Sequence, residues 1–329
     1  MLDDRKMAIL RAVVETYIET AEPVGSSAVT AVTDLGVSSA TIRNELVQLD
    51  QQGYLSQPHT SAGRVPTDKA YRAFVDELDE PGLGLSESQR VKDFFDHTHG
   101  EIEEMLERTS DLLSEMTGVT SVVVAPDRDQ STVRSVQLVQ LAPQVLLAVT
   151  VLSDGTVEKS SIETVDHIDE VVLAMANGHL SAAMVGRSLT EAAAPQPSGN
   201  AIADRLVDSA RAVLTSQDVA GDIYVGGLSS VPAIGAVETM QEVLLLLEKQ
   251  LVVVSLLRDV IGRGMSVAIG NETGVDPLAE CSLVVAPYSS EGNKGGTIGL
   301  LGPTRMDYPH AMAAVAVVSQ SLGKRLSEG

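Results

Sequence analysis

Gly36-Val37-Ser38-Ser39-Ala40-Thr41-Ile42-Arg43-Asn44-Glu45-Leu46, joined from Gly53 by Gly53-Tyr54-Leu55-Ser56-Gln57-Pro58-His59-Thr60-Ser61-Ala62-Gly63-Arg64-Val65-Pro66-Thr67, is the stretch on which the reading turns. Ser38 or Ser39 offers a side-chain oxygen to cap a helix. Ile42, Leu46 and Leu49 then recur at helical spacing and form one apolar face. A turn of about 100° per residue puts Ala40, Arg43, Asn44, Val47 and Gln51 on the opposite face. Arginine can donate two hydrogen bonds to guanine and asparagine can read adenine, so Arg43 and Asn44 are candidate base readers. Ser39, Ala40, Thr41 and Val47 complete that candidate surface. Leu55 begins a short strand, and the polar loop after it suits a β-hairpin wing that lays Arg64 along a DNA backbone or into a minor groove. His59, Thr60 and Ser61 are suited to phosphate contacts. Thr67 is placed to cap the next helix, which returns Tyr71, Phe74, Val75 and Leu78 to the core.

Upstream, Met7, Leu10, Val14, Tyr17 and Ile18 give a first helix, about Asp3 to Thr20, one apolar face. Glu22-Pro23-Val24-Gly25 breaks the chain, and Ser26 or Ser27 can cap a second, short helix ending near Leu35. Gly36 then stands where a left-handed C-cap is favoured. A short helix, a Gly-containing turn and a helix with polar residues near its start make a helix-turn-helix. A small helical bundle with Arg and Asn on its surface fits the periodicity equally well. The hairpin signal after the third helix favours the winged form.

The net charge of −22 argues against a protein that grips nucleic acid over its whole surface. Any DNA contact must be small and locally basic. From Ser38 to Arg72 the basic Arg43, Arg64, Lys69 and Arg72 face the acidic Glu45, Asp50 and Asp68, so this region is near neutral. One such unit binds DNA weakly, whereas two on a rigid dimer gain through effective concentration.

At 329 residues, with 44% hydrophobic residues, the chain has material for two or three domains. Aromatics are only 3%, so aliphatic side chains must fill the cores. Cys281 is the single cysteine, which excludes an internal disulfide framework and a multi-cysteine zinc site. Met1-Leu2-Asp3-Asp4-Arg5-Lys6 lacks the pattern of a signal peptide, and the apolar run Val243 to Leu257 is broken by Glu248, Lys249 and Gln250. A soluble, cytoplasmic protein without a membrane span is expected.

Asp79 to Leu85 reads as a linker. Ser86 with Gln89 makes a capping box for a long helix to about Met116, which Gly100 can bend or interrupt. Strands follow at Val119–Ala125, Val133–Leu141, Val145–Leu152 and Thr156–Ile162, with Asp154-Gly155 as a hairpin turn. Helices are expected near Asp166–Thr190, Asn200–Ser216 and Glu238–Val260, and strands near Asp222–Val225, Met265–Ile269, Cys281–Pro287 and Thr297–Gly302. A final helix runs to Leu326. Helices flanking antiparallel strands describe an α+β fold.

The opening stretch, together with Arg5-Lys6 and Thr20-Ala21-Glu22-Pro23-Val24-Gly25-Ser26, resembles the HrcA family of heat-inducible transcription repressors. In the tail, Ile269-Gly270-Asn271-Glu272, Cys281-Ser282-Leu283-Val284-Val285-Ala286-Pro287-Tyr288 and Gly299-Leu300-Leu301-Gly302-Pro303-Thr304-Arg305-Met306-Asp307-Tyr308 carry the same likeness. The resemblance implies an α+β multidomain protein with an N-terminal winged helix-turn-helix and a GAF-like domain holding an inserted dimerisation domain. The expected division is 1–78 winged helix, 79–85 linker, 86–157 and 231–329 GAF-like, and 158–230 inserted. It also implies a homodimer on an inverted-repeat operator of double-stranded DNA, the CIRCE element of chaperone operons. Activity is then maintained by the chaperonin GroEL. In the family pattern an Arg commonly follows the Gly-Ser pair; Ser27 stands there instead, which removes one backbone contact.

Other motifs carry little chemistry. Gly292-Asn293-Lys294-Gly295-Gly296-Thr297 lacks Walker spacing and reads as a hairpin. Arg305 and Asp307 are expected to pair and fix a turn. His97 and His99 lack metal-ligand spacing, His167, His179 and His310 are isolated, and Cys281 is expected to be a buried small residue. No catalytic residue, cofactor or metal site is expected. Two rivals stay open: a repressor whose GAF-like pocket answers a metabolite, and an enzyme fused to a winged helix, for which no catalytic motif is found.

Overall fold

The computed structural model describes residues 2–33, 35–59, 63–78, 82–98, 102–126, 132–153, 155, 157–164, 168–189, 197–215, 223–228, 243, 257, 265–289 and 295–328. Helix α1 (Asp4–Thr20) starts at Asp3, whose carboxylate accepts the Lys6 N–H at 2.9 Å. Its Ile9, Leu10, Val13 and Val14 are buried, in one cluster with Val29 of α2 (Ser26–Val32) and Ile42, Leu46 and Leu49 of α3 (Ser39–Gln51). Three apolar stripes closing on one another account for the bundle. Gly25, not Ser26 or Ser27, stands at the cap of α2 and gives no side-chain bond; the helix ends at Thr33. Gly36, at φ +65°, therefore serves the turn into α3 instead of capping α2.

Strand β1 (Leu55–Ser56) pairs antiparallel with β2 (Val65–Pro66), and α4 (Asp68–Val75) follows. Thr67 occupies the cap position of α4 without capping it. Its hydroxyl donates instead to the carbonyls of Gly53 and Tyr54, at 2.8 and 2.9 Å, and so closes the base of the hairpin. The long helix expected from Ser86 is two, α5 (Leu85–His97) and α6 (Ile102–Thr117). At Thr98 the backbone leaves the helix and the hydroxyl donates to the Phe94 carbonyl at 2.7 Å. No Ser86–Gln89 capping box forms, because Gly84 is the cap and the Gln89 amide donates to Asp93 at 2.7 Å.

The chain then runs through β3 (Thr120–Val124), β4 (Val133–Ala142), β5 (Val145–Leu152), β6 (Val157–Glu163), α7 (Glu170–Met184), α8 (Ala201–Thr215), β7 (Ile223–Gly226), β8 (Ser266–Ile269), β9 (Cys281–Pro287), β10 (Thr297–Pro303) and α9 (Tyr308–Glu328). A five-stranded antiparallel sheet has the order β7-β3-β10-β9-β8. Successive side chains point to opposite faces. Val123, Val284, Ala286, Ile298 and Leu300 join the core shared with α5, α6 and α9, while Val122, Val124, Leu283, Val285 and Leu301 join a second core with Val243 and Leu257. Both faces of the central strands are covered, so they read in sequence as unbroken apolar runs.

Strands β4, β5 and β6 form a separate three-stranded sheet on which α7 and α8 pack, with its own core running from Val133 to Leu214. The Asn177 side chain on α7 both donates to and accepts from the Leu138 backbone, at 3.1 and 2.6 Å. Strands β4 and β5, which precede the 158–230 expected as an insertion, share this sheet with β6, whereas β7, within that range, belongs to the large sheet. Chain order hides the reason. The excursion leaves after Val124 and returns at Ile223, and those two residues are direct partners across β3 and β7. The expected helix at Glu238–Val260 lies outside the described residues except for Val243 and Leu257.

The first four helices do not hang apart from the rest. Their core is continuous with that of the large sheet, and the Tyr71 ring of α4 lies 5.8 Å from the Tyr308 ring of α9. Asp79, Glu80 and Pro81 of the expected linker lie outside the described residues. Among the described residues no helix is long and apolar enough to cross a membrane.

Candidate nucleic-acid interface

Helix α3 owes its position to what it buries and its chemistry to what it leaves out. The Ser38 hydroxyl accepts the Thr41 N–H at 3.2 Å and so satisfies one of the unpaired donors of the first turn. The Ser39 hydroxyl donates to the Ser26 hydroxyl at 3.1 Å and fixes α3 against the start of α2. With Ile42, Leu46 and Leu49 buried inward, Ser39, Ala40, Arg43, Asn44 and Val47 are exposed together on the outer side. Thr41 is half-buried, its hydroxyl 3.0 Å from that of Ser38.

The acidic residues of α3 are neutralised from behind. Glu45 lies 3.6 Å from the Lys6 ammonium, which it shares with Asp3 at 3.0 Å, and Asp50 lies 2.9 Å from Nε of Arg64. Arg43 is left as the exposed charge of the helix. This local arrangement answers the repulsion expected from a chain of net charge −22.

The hairpin stands beside α3. Val24 and Arg64 exchange both backbone hydrogen bonds at 2.8 Å, so the segment before α2 adds a short third rung to the hairpin base. Gly63 is what permits this. A Cβ there would lie 2.5 Å from the Val24 carbonyl carbon and 2.6 Å from the Pro23 oxygen. Lys69 closes the far side, donating to the Gln52 carbonyl at 2.9 Å with its ammonium 4.3 Å from the centre of the Tyr54 ring.

Arg64 is the site residue whose placement departs most from the sequence reading. Its side chain is mostly covered and turned onto Asp50, binding the hairpin to the end of α3. His59 is exposed at the hairpin, whereas Thr60 and Ser61 lie outside the described residues. Ser27 is exposed at the start of α2, next to the Ser26–Ser39 contact. Sequence reasoning missed Lys6, Asp50, Thr67 and Lys69 as the residues that hold this surface. Their partners are distant in sequence and no local spacing announces them.

A second set of contacts fastens this unit to the large sheet. Arg72 on α4 donates through Nε to Glu272 at 3.0 Å, through Nη2 to the other Glu272 oxygen, and through Nη2 to the Val267 carbonyl at 2.6 Å. Desolvation works to raise the Glu272 pKa, but the Arg72 bonds, the Ile269 N–H and the guanidinium charge outweigh it and hold the carboxyl below its usual range.

Elsewhere the residues weighed in the sequence have structural roles. Asp307 does not pair with Arg305; it accepts the His310 N–H at 3.0 Å and starts α9. His310 is not isolated, since its Nε2 lies 3.0 Å from Glu87. Burial pushes the Cys281 thiol up to about 12, far from a reactive thiolate. His99 and His167 lie outside the described residues, as do 290–294 of the glycine-rich loop. Among the described residues no cluster of His, Cys, Asp or Glu is arranged to hold a metal ion.

The model of the "HrcA protein C terminal domain" family matches residues 103–312. The chain is 38% identical to the heat-inducible transcription repressor HrcA of Thermobifida fusca (strain YX), over 99% of this chain and 98% of that one. It is 37% identical to the HrcA of Rhodococcus jostii (strain RHA1), over 99% of both chains. The chain belongs to the HrcA family. The HrcA of Streptomyces avermitilis is also similar, 36% identical over the whole of both chains. A solved structure described as a hypothetical protein at 2.2 Å resolution shares the fold, with a TM-score of 0.66 at 22% identity, covering 99% of this chain and 98% of that one. HrcA proteins are heat-inducible transcription repressors, not enzymes, which removes the rival of a catalytic domain fused to a DNA-binding one.

Proposed function

We propose that the chain represses heat-shock operons by laying α3 into the major groove of a CIRCE-type inverted repeat, as a homodimer whose activity the chaperonin GroEL maintains. The observation that carries this reading is the outer face of α3: a helix capped at Ser38, buried on Ile42, Leu46 and Leu49, and presenting Arg43 and Asn44 with its own carboxylates neutralised behind it. A capped helix start also offers backbone N–H groups to phosphate. In this reading the first 78 residues are a winged helix-turn-helix. Arg43 and Asn44 read bases, Ser39, Ala40, Thr41 and Val47 line the groove, and His59, Thr60 and Ser61 meet the backbone. Arg64 reaches phosphate only by releasing Asp50, so its first task is to hold the wing.

The body is read as GAF-like, interrupted by the unit of β4–β6, α7 and α8, and that unit supplies the dimer contact. On the outer face of its sheet Val145, Leu147, Val149 and Val151 form an aliphatic row on β5, flanked by exposed Val139 and Val157. A two-fold dimer through such a face presents two recognition helices and demands an inverted repeat.

Chaperonin dependence has a physical basis in the topology. Thr120 pairs with Leu301 and Val124 with Thr297, so the central strand pair closes only when nearly the whole chain is present. Long-range pairing of this kind slows folding and prolongs exposure of apolar strands. The test is an anisotropy titration at fixed salt on a CIRCE-type repeat and on a scrambled duplex, with protein refolded with and without chaperonin. Selective binding that chaperonin restores is expected. Equal binding to both duplexes by a folded dimer defeats the operator, and full recovery without chaperonin defeats the sensing scheme.

A further inference from the structure

We propose that Arg72 and Glu272 are positioning residues for operator binding: together they lock the DNA-reading unit to the large sheet and so set the spacing of the two recognition helices. The proposal rests on the operator reading above.

The contact is built on one stripe of α4. Asp68 and Arg72, one helical turn apart, face the edge of the large sheet, and Asp76, a further turn on, pairs with Arg72. Arg72 grips both oxygens of Glu272 and also the Val267 carbonyl of β8, and its Nη1 lies 3.3 Å from Asp76. A guanidinium held in a fork by a carboxylate is fixed in direction as well as distance, which a lysine cannot reproduce. Glu272 is itself held, because it accepts the Ile269 N–H at 3.0 Å. Beside it, Asp68 accepts from the Asn271 amide side chain at 3.2 Å and lies 3.4 Å from its backbone N–H.

Gly270 makes the approach possible. It adopts φ +53°, and a Cβ there would lie 2.4 Å from the Asp68 carboxylate. Ile269-Gly270-Asn271-Glu272 is therefore shaped as a receptor for α4. Nothing in this stretch lies on the outer face of α3; the side chains of Asn271 and Glu272 bond to α4 and β8.

The lock transmits because the parts on the α3 side are also tied. Thr67 and Lys69, at the start of α4, bond the backbone at Gly53, Tyr54 and Gln52, and Arg64 on the hairpin meets Asp50 on α3. Helix α3, the hairpin and α4 are thus tied into one piece; the Tyr71–Tyr308 contact seats it on the body, and the fork at Arg72 fixes its direction. In a dimer, an error of orientation in each head changes the distance between two recognition helices, which must match the half-site spacing of the duplex. A single half-site is blind to that distance.

The test uses Arg72→Met and Glu272→Gln in the full chain, measured on the complete inverted repeat, on a single half-site duplex and on repeats with base pairs added to the spacer. For both variants the complete repeat is expected to weaken at least about tenfold, the half-site to stay unchanged, and the preference for one spacer length to flatten, since the two heads lose effective concentration. The double variant is expected to fall no further than Arg72→Met alone, because that change already removes what Glu272 gives the lock. Equal losses on repeat and half-site, no loss, or a gain of affinity each overturn the proposal. A parallel readout keeps it apart from the operator reading. With spin labels at His59→Cys and Glu107→Cys, a broadened distance distribution in Arg72→Met is expected without DNA. An unchanged distribution overturns the lock even if the wild-type protein shows no preference for the repeat.

Discussion

At the scale of residues, charge placement bears on the proposed DNA surface of so acidic a chain. Arg64 pairs with Asp50, and Lys6 is shared between Asp3 and Glu45, so neither cation adds to the outer face of α3, where Arg43 is exposed. The sequence counts charges correctly as near neutral between Ser38 and Arg72, but counting cannot say which of them point outward. Ser27 marks a place where charge is missing. It is exposed at the start of α2, beside the Ser26–Ser39 contact that joins the two helices. Ser27→Arg is expected to tighten operator binding a few-fold and to steepen the dependence on log salt by about one unit, as one more phosphate contact does. An unchanged salt slope in titrations at several salt concentrations would place residue 27 away from the duplex.

At the scale of elements, helix starts and junctions decide how firmly the reading face is held. Ser38→Ala removes the cap of α3 and is expected to cost about 1 kcal/mol of stability. A chemical-denaturation midpoint indistinguishable from wild type would show that the cap is replaced by water. The junction at Glu272 carries a pH signature. Its carboxyl sits below its ordinary 4.5 in the folded chain, so the stabilisation it brings is present above that value and is lost as pH falls through the lower, folded one. The difference in melting temperature between wild type and Glu272→Gln should hold at neutral pH and shrink under acid. A difference that grows as pH falls would reverse the assignment. The elements of the N-terminal unit were legible because their apolar spacing is local: Ile42, Leu46 and Leu49 lie within one helix and are all buried. Caps were less legible. Thr67 and Gln89 have the right chemistry for capping, yet the Gly53 and Tyr54 carbonyls take the one side chain and Asp93 the other.

At the scale of the whole molecule, partners joined by a short turn, such as β5 and β6 across Asp154-Gly155, are read from the sequence with their strands, whereas distant partners are not. The apolar run Val145 to Leu152 reads as a strand, but nothing in it says which sheet it joins or which face it buries. The pairing of Val124 with Ile223 closes the neck of the smaller unit, and it joins residues that no local window sees together. The same holds for Arg72 and Glu272. The outer row of β5 gives the assembly its test. Leu147→Glu places a charge in the proposed dimer face and is expected to give a folded monomer by light scattering, with unchanged circular dichroism and half-site binding but a lost preference for the full repeat. A dimer that survives this change would move the interface elsewhere.

The most direct test of α3 as the reader of the operator is a binding profile of wild type and Arg43→Ala over every single base-pair replacement in the repeat, at one salt concentration. Arg43→Ala is expected to lose about 1–3 kcal/mol on the intact repeat and to become indifferent to one base pair in each half-site, while keeping the wild-type preferences at all others. A variant that keeps the whole wild-type profile, or loses equally on every duplex, would contradict it.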